Sequence, residues 1–389
     1  MKHLGDITKI HGDKIEPVDC ITFGSPCQGL SMAGKRLGFD DDRSVLFLDA
    51  ARIIKEMRVA TNGMYPTFAV WENVPGAFSS NGGEDFRAVL EELARVEEPD
   101  VSIPRSSGKG GRWSKAGAIA GNGWSLAWRQ LDAQYWGVPQ RRKRIALVAD
   151  FRGQRAGEIL FERTSLSRHP DESIKAWKAT PRHSQASHSE CDRTSEKVIY
   201  DARGNGDGRT CPTITGDHEN RITDYTAIAI ERKTFNEQSF SHYKESDKCS
   251  TLKAKAWNIC NGSECLIAEK IIRWIVRRLT PVECERLQGF PDNYTNIGDW
   301  TDSKGKKHKY ADSPRYKALG NSIALPQWFW LVQKMRPYLK EKPTLGSLFD
   351  GIGGFPLVWQ RAYGEGTARW ASEIESFCVA VTKRRFGEE

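Results

Sequence analysis

Short apolar runs that alternate with longer helical periodicities dominate the first 150 residues. Val18-Asp19-Cys20-Ile21-Thr22-Phe23 reads as a short buried strand that leaves through Gly24, Ser25 and Pro26, residues suited to a tight turn. Ser44 to Met57 carries apolar residues at helical spacing through Val45, Leu48, Ile53 and Met57. A second strand, Pro66 to Trp71, ends in Glu72-Asn73-Val74-Pro75. Ser79 to Glu98 opens on a polar turn and continues as a helix with Phe86, Leu90 and Leu93 on one face. Trp124 to Leu131 and Arg144 to Asp150 read as further strands, with Tyr135 to Pro139 turning between them.

The pattern breaks at Phe151. From there to about Lys270 the chain is rich in Ser, Thr, His, Asp and Arg and has few long apolar runs. Periodicity returns with Thr280-Pro281-Val282-Glu283, a helix start with an N-cap Thr, Pro at the first position and Glu at the third. An aromatic-rich helix is expected from Ala324 to Leu339. Thr344 to Phe349 reads as a strand running into Gly351-Ile352-Gly353-Gly354 and a helix, and Ala368 to Ala371 as another strand. Strands alternating with helices predict an α/β fold.

The 389 residues can bury a substantial core and are expected to form two domains, and the 39% hydrophobic and 10% aromatic content describes a globular chain. No apolar run approaches the roughly 18 residues of a membrane span, and the first residues lack the apolar region of a signal peptide. A cytoplasmic protein without membrane contact is expected. Nine Cys without a regular framework fit a reducing compartment. Cys249, Cys260 and Cys265 lack paired Cys-x-x-Cys spacing, so no metal site is expected. The net charge of +8 agrees with a polyanionic partner. Arg105 to Lys115 concentrates four basic residues and three Gly with no acid, which reads as an exposed loop near phosphate or as a solvated insertion.

Two strand ends carry the candidate chemistry. A lone Cys is usually a small core hydrophobe. Cys27, however, follows the carboxyl end of a strand, where open α/β sheets place their ligands. Glu72 closes the next strand, so a thiol and a carboxyl group would meet in one cleft, the parts of covalent catalysis with acid assistance. The glycine turn at 351–354 suits close approach to a ligand, and Glu373 lies 23 residues after Asp350, the distance of a ribose-binding acid. By pattern alone that segment could hold a dinucleotide, although a complete G-x-G-x-x-G is missing.

Pro26-Cys27-Gln28 and Glu72-Asn73-Val74 resemble the catalytic motifs of the DNA cytosine-5 methyltransferases. Four more blocks are similar to that family: Gln140-Arg141-Arg142-Lys143-Arg144, Arg278 to Pro291, Tyr316 to Ser322, and Leu348 to Phe355. Their order is circularly permuted. The glycine block, which usually opens such proteins, here follows the Gly320-Asn321-Ser322 block, and residues 384–389 would read naturally into Met1. Permutation is tolerated where chain ends lie exposed and close together.

The resemblance implies a Rossmann-like sheet binding S-adenosyl-L-methionine, with a smaller, mostly β or irregular target-recognition domain. Residues 1–150 would be the first catalytic part, 151–270 the recognition domain, 271–343 the return to the catalytic domain, and 344–389 the cofactor segment. It implies Cys27, Glu72, Arg142 and Arg144 as catalytic residues, with Glu72 kept protonated by burial. Arg142 and Arg144 lie two apart, so if the strand begins there their side chains share one face. It implies Phe349, Gly351, Ile352, Gly353, Gly354, Glu373, Ile374, Asp6, Ile7, Pro26, Asn321 and Ser322 around the cofactor, with Asp6 and Ile7 at the adenine. Gln28, Ser31, Lys35 and Arg36 on the loop after Cys27, and Thr251 and Leu252 in the recognition domain, would contact double-stranded DNA. Ala33 departs from members with a hydroxyl there. A single chain acting on duplex DNA, as in restriction-modification systems, is expected; the rivals are an RNA cytosine-5 methyltransferase and a non-catalytic DNA-binding protein.

Overall fold

The computed structural model describes residues 1–25, 42–161, 198–201, 226–229, 233–239, 242–246, 265–268 and 279–387. In chain order the first strands are β1 (Lys2–His3), β2 (Cys20–Phe23), β3 (Phe68–Asn73), β4 (Ala116–Ala120), β5 (Ser125–Asp132) and β6 (Lys143–Asp150). Then come β7 (Val198–Asp201), β8 (Thr226–Ala229), β9 (Lys233–Ser239), β10 (His242–Ser246) and β11 (Cys265–Ala268). The last are β12 (Trp300–Thr301), β13 (Lys307–His308), β14 (Leu345–Leu348) and β15 (Ala368–Ser372).

The chain divides into two units, the first formed by Met1–Ser184, Thr213–Asn220 and Thr280–Glu389, the second by Gln185–Pro212 and Arg221–Leu279. In the second, β10, β9 and β11 make an antiparallel sheet and β7 pairs with β8.

The first unit is built on an eight-stranded sheet in the order β1-β15-β14-β2-β3-β6-β5-β4. The first five run parallel, and β6, β5 and β4 pair antiparallel beyond β3. β14 and β15 come from the far end of the chain yet sit between β1 and β2. The Met1 ammonium donates to the Phe386 carbonyl at 3.4 Å, so residues 1 and 386 are neighbours. That closeness is why a permuted motif order is compatible with an unbroken sheet.

Alternate strand residues Ile21, Phe23, Ala69, Trp71, Ile145 and Leu147 join Phe47, Ile53 and Met57 of helix Asp42–Ala60 and Phe86, Leu90 and Leu93 of helix Glu84–Ala94 in one core. The intervening residues, such as Cys20, Val70, Ala146 and Val148, are equally buried, so both faces of the sheet are covered. Phe86 stands at the centre of the first layer. Its ring lies edge-on to Phe78 (4.9 Å), Trp113 (5.6 Å) and Trp128 (5.5 Å).

Several boundaries differ from the sequence reading. The helix expected over 79–98 narrows to Glu84–Ala94, because Asn81 and Gly82 take left-handed conformations before it. β3 begins at Phe68 and its last residues are Glu72 and Asn73, so the strand starts two residues later than Pro66. The edge strand β4 was not foreseen, since Ala116-Gly117-Ala118-Ile119-Ala120 carries almost no polar alternation. The Thr280 capping box forms as expected: Thr280 Oγ1 accepts from the Glu283 amide, and the Glu283 carboxylate accepts from the Thr280 amide at 2.7 Å. Phe86→Ala is expected to destabilise the unit by about 3–5 kcal/mol, measurable by denaturant unfolding; a loss under about 1 kcal/mol would contradict a central packing role.

Candidate active site

Five parallel strands that end on one edge bring their following residues into a row. Asp6 follows β1, Glu373 follows β15, Phe349 follows β14, Gly24 follows β2, and Glu72 and Asn73 close β3. Cys27, Pro26, Gln28, Ser31, Lys35 and Arg36, with Thr251 and Leu252, lie outside the described residues.

The residues that lead toward Cys27 are held in place up to Ser25. Ser25 is buried, its Oγ accepts from Trp71 Nε1 at 3.1 Å, and its carbonyl accepts from Asn73 Nδ2 at 3.1 Å. A Cβ on Gly24 would lie 3.1 Å from the Glu72 carboxylate, so the chain passes close against that acid at Gly24. Register explains the approach, because Phe23 is paired with Trp71 across β2 and β3.

Glu72 lies opposite Ala146, which sets Arg144, two residues earlier on β6, on the same face. Arg144 Nε donates to Glu72 Oε1 at 2.8 Å, with both side chains about 15% exposed (14% and 15%). A guanidinium therefore accompanies Glu72 at the end of β3. The shared face expected for the two arginines fails, because β6 begins at Lys143 and Arg142 precedes it. Arg142 is turned inward and fully buried. Its Nη2 donates to the Gly320 carbonyl at 2.8 Å and to the Ser322 carbonyl. Burial, with the nearby Arg144 charge acting the same way and Glu72 opposing, lowers its pKa to about 9. Arg144 therefore faces the acid, while Arg142 positions the Gly-Asn-Ser turn.

That turn meets the glycine segment. Ser322 is buried, Asn321 is exposed, and a Cβ on Gly354 would come within 2.8 Å of Ile323. Phe349 takes a left-handed backbone at φ 54°, and the buried Ile352 carbonyl accepts from Tyr294 at 2.8 Å. Gly353 precedes the helix Gly354–Tyr363. Gly351, at φ 58°, has open space where a side chain would stand, and its amide donates to Glu373 Oε2 at 2.7 Å. Beside it Ile374 is 72% exposed, an unpacked apolar side chain next to an acid. Asp6 accepts from the Thr8 amide and hydroxyl, and these bonds hold its carboxyl below the usual range. Ile7 differs from expectation: it is buried in the core, so its side chain is not offered as a ring surface. An open glycine turn, an acid held against it by backbone amides and an exposed apolar residue fit an adenosine-containing cofactor such as S-adenosyl-L-methionine.

Two members of the site were not singled out in the sequence. Asn73 sits inside the Glu-Asn-Val block, and its task of gripping Ser25 depends on strand register. Asp350 is buried within the glycine block and accepts from Ser347 Oγ at 2.6 Å. Burial, reinforced by Glu373 and opposed by the Ser347 bond, raises its pKa from 3.8 to about 8. Its folded pKa exceeds the unfolded one, so its contribution is present below about pH 4 and is lost as pH rises to about 8. Asp350→Asn should therefore gain melting temperature relative to wild type between pH 5 and pH 8; a gap independent of pH would refute this.

The model of the family "C-5 cytosine-specific DNA methylase" matches residues 1–97 and 116–336. A protein of Escherichia phage P1 named DNA N-6-adenine-methyltransferase is 30% identical over 85% of this chain and 54% of its own length. Type II methyltransferase M1.ScrFI of Lactococcus lactis subsp. cremoris is 30% identical over 87% of this chain and 67% of its own. The chain thus spans about half the length of the first relative and two thirds of the second. Among solved structures, the S. pombe Dnmt2 methyltransferase aligns with 86% of this chain and 83% of its own at a TM-score of 0.43 and 17% identity.

Proposed function

Because the chain belongs to the C-5 cytosine-specific DNA methylase family, we propose that it transfers a methyl group from S-adenosyl-L-methionine to carbon 5 of a cytosine flipped out of double-stranded DNA. The observation that carries this reading is the meeting of Glu72, paired with Arg144, and the pinned root of the Cys27 loop, on the sheet edge that also bears the glycine turn.

The chemistry follows from the substrate. Carbon 5 of cytosine is too weak a nucleophile to be methylated directly. Addition of the Cys27 thiolate to carbon 6 forms a sulfur–carbon bond and moves an electron pair toward carbon 5. Protonated when the base is bound, Glu72 donates to ring nitrogen 3 and offsets the developing charge. Arg144 holds the ring carbonyl, and its positive charge favours the thiolate. When bound, S-adenosyl-L-methionine supplies the sulfonium methyl group that carbon 5 takes. A water molecule then takes the carbon 5 proton, and the electron pair of that bond expels Cys27 as thiolate and restores the ring.

Glu373, Ile374, Asp6, Asn321, Ser322, Pro26 and the turn 349–354 hold the cofactor, with the Ile7 contribution confined to its backbone. Extrusion of the cytosine costs a few kcal/mol. Gln28, Ser31, Lys35 and Arg36 fill the gap and meet phosphates, while Thr251 and Leu252 belong to the recognition region within 151–270. A modification enzyme working as a single chain in the cytoplasm fits this set; among the described residues no helix is long and apolar enough to cross a membrane.

The name of the phage P1 relative raises methylation of the adenine amino group as a second reading. An amino nitrogen needs no thiol adduct, so the two readings differ in their dependence on Cys27. Nucleoside mass spectrometry of plasmid DNA treated with wild type should show 5-methylcytosine, and Cys27→Ser should reduce it to background. N6-methyladenine as the product, or methylation of transfer RNA alone, would overturn the proposal.

A further inference from the structure

The family match stops at residue 97 and resumes at 116. The segment it skips contains the basic loop, and residues 101–123 hold no Asp or Glu. Arg105, Lys109, Arg112 and Lys115 are all exposed. Arg105 pairs with Glu84 at 3.0 Å, whereas Lys109, Arg112 and Lys115 have no acidic partner among the described residues. Three cations of one eleven-residue loop are thus without an ion pair among the described residues.

The loop is held, not merely attached. Trp113 donates from its amide to the Phe78 carbonyl at 3.0 Å and from Nε1 to the Gly83 carbonyl at 2.8 Å. Ser106 Oγ donates to the Arg112 carbonyl at 2.7 Å and accepts from the Gly108 amide at 3.2 Å. Gly111, at φ 74°, lies so near the Gly82 carbonyl that a Cβ would come to 1.9 Å, so the two backbones touch. Its partner, residues 75–83, directly follows Glu72-Asn73-Val74. Arg105, Lys109 and Arg112 line a hollow with Ser106, Ser107 and Trp113. Pinning lowers the entropy lost when the cations meet a ligand.

Cross-strand register fixes where the loop stands. Glu72 is opposite Ala146, Ala146 opposite Arg129, and Arg129 opposite Ala116, the residue after Lys115. The loop therefore enters the sheet in the row of Glu72, three strands away, a separation of about 15 Å. That span covers about four base pairs of duplex.

We infer that residues 105–115 are a second DNA-binding element, in which Lys109, Arg112 and Lys115 grip the phosphodiester backbone of duplex DNA beside the target cytosine. The inference rests on the proposed activity for the identity of the polyanion. Phosphate contacts of this kind add affinity without base preference and release counterions.

The test compares wild type with the triple variant Lys109→Ser, Arg112→Ser, Lys115→Ser in duplex binding across a salt series, alongside methylation of the same DNA. The slope of log affinity against log salt should shrink by about 0.9 per cation removed, so by at least about 2, with kcat and the methylated sequence unchanged. An equal melting temperature establishes that the variant folds, and Lys109→Glu, which reverses one charge, should weaken binding in an otherwise native chain. A slope reduced by less than about 1 overturns the inference. Wild type that binds DNA with the expected slope difference yet makes no 5-methylcytosine would refute the proposed reaction and leave this inference standing.

Discussion

Everything at the candidate site depends on parallel strands ending together. Hydrogen bonding in register between β15, β14, β2 and β3 leaves no freedom in where their carboxyl ends fall. Leu348 pairs with Phe23, and Phe23 with Trp71, so the glycine turn, Gly24 and Glu72 follow from adjacent positions of one edge. β6 contributes because it runs the other way: its beginning, not its end, lies at that edge, which is how Arg144 reaches Glu72.

The two arginines show how one residue of offset divides labour. Arg144 lies inside β6 and shares the face of Glu72. Arg142 precedes the strand, so pleating does not direct its side chain, and it is drawn into the interior to satisfy the carbonyls of Gly320 and Ser322. A buried guanidinium without such acceptors would be costly. Its position ties the Gly320-Asn321-Ser322 turn to the segment that carries the acid's partner. Asn73 does the same on the other side by holding the Ser25 carbonyl.

The permuted order has a simple physical basis. β1 and β15 are neighbours in the sheet, and the Met1 ammonium reaches the Phe386 carbonyl. Sheet pairing depends on which strands are adjacent in space and is indifferent to where the backbone is interrupted. The basic loop illustrates the converse, since it lies between helix Glu84–Ala94 and β4, and β4 still pairs with β5 in continuous register.

What the sequence determined by itself was local chemistry and periodicity. The buried run before Cys27, the acid after Pro66 to Trp71, the glycine turn and the Thr280 cap are each written in a few consecutive residues, so short-range rules suffice to find them. The family resemblance rested on those same short blocks. Only the tertiary structure decided which face Arg142 would choose, that Ile7 would be consumed by the core, that Asn73 would grip Ser25, and that Asp350 would lose its solvent. Those outcomes depend on strand register and on burial by residues from tens to nearly two hundred positions away. No window of sequence contains that information, because it arises only when distant strands pair.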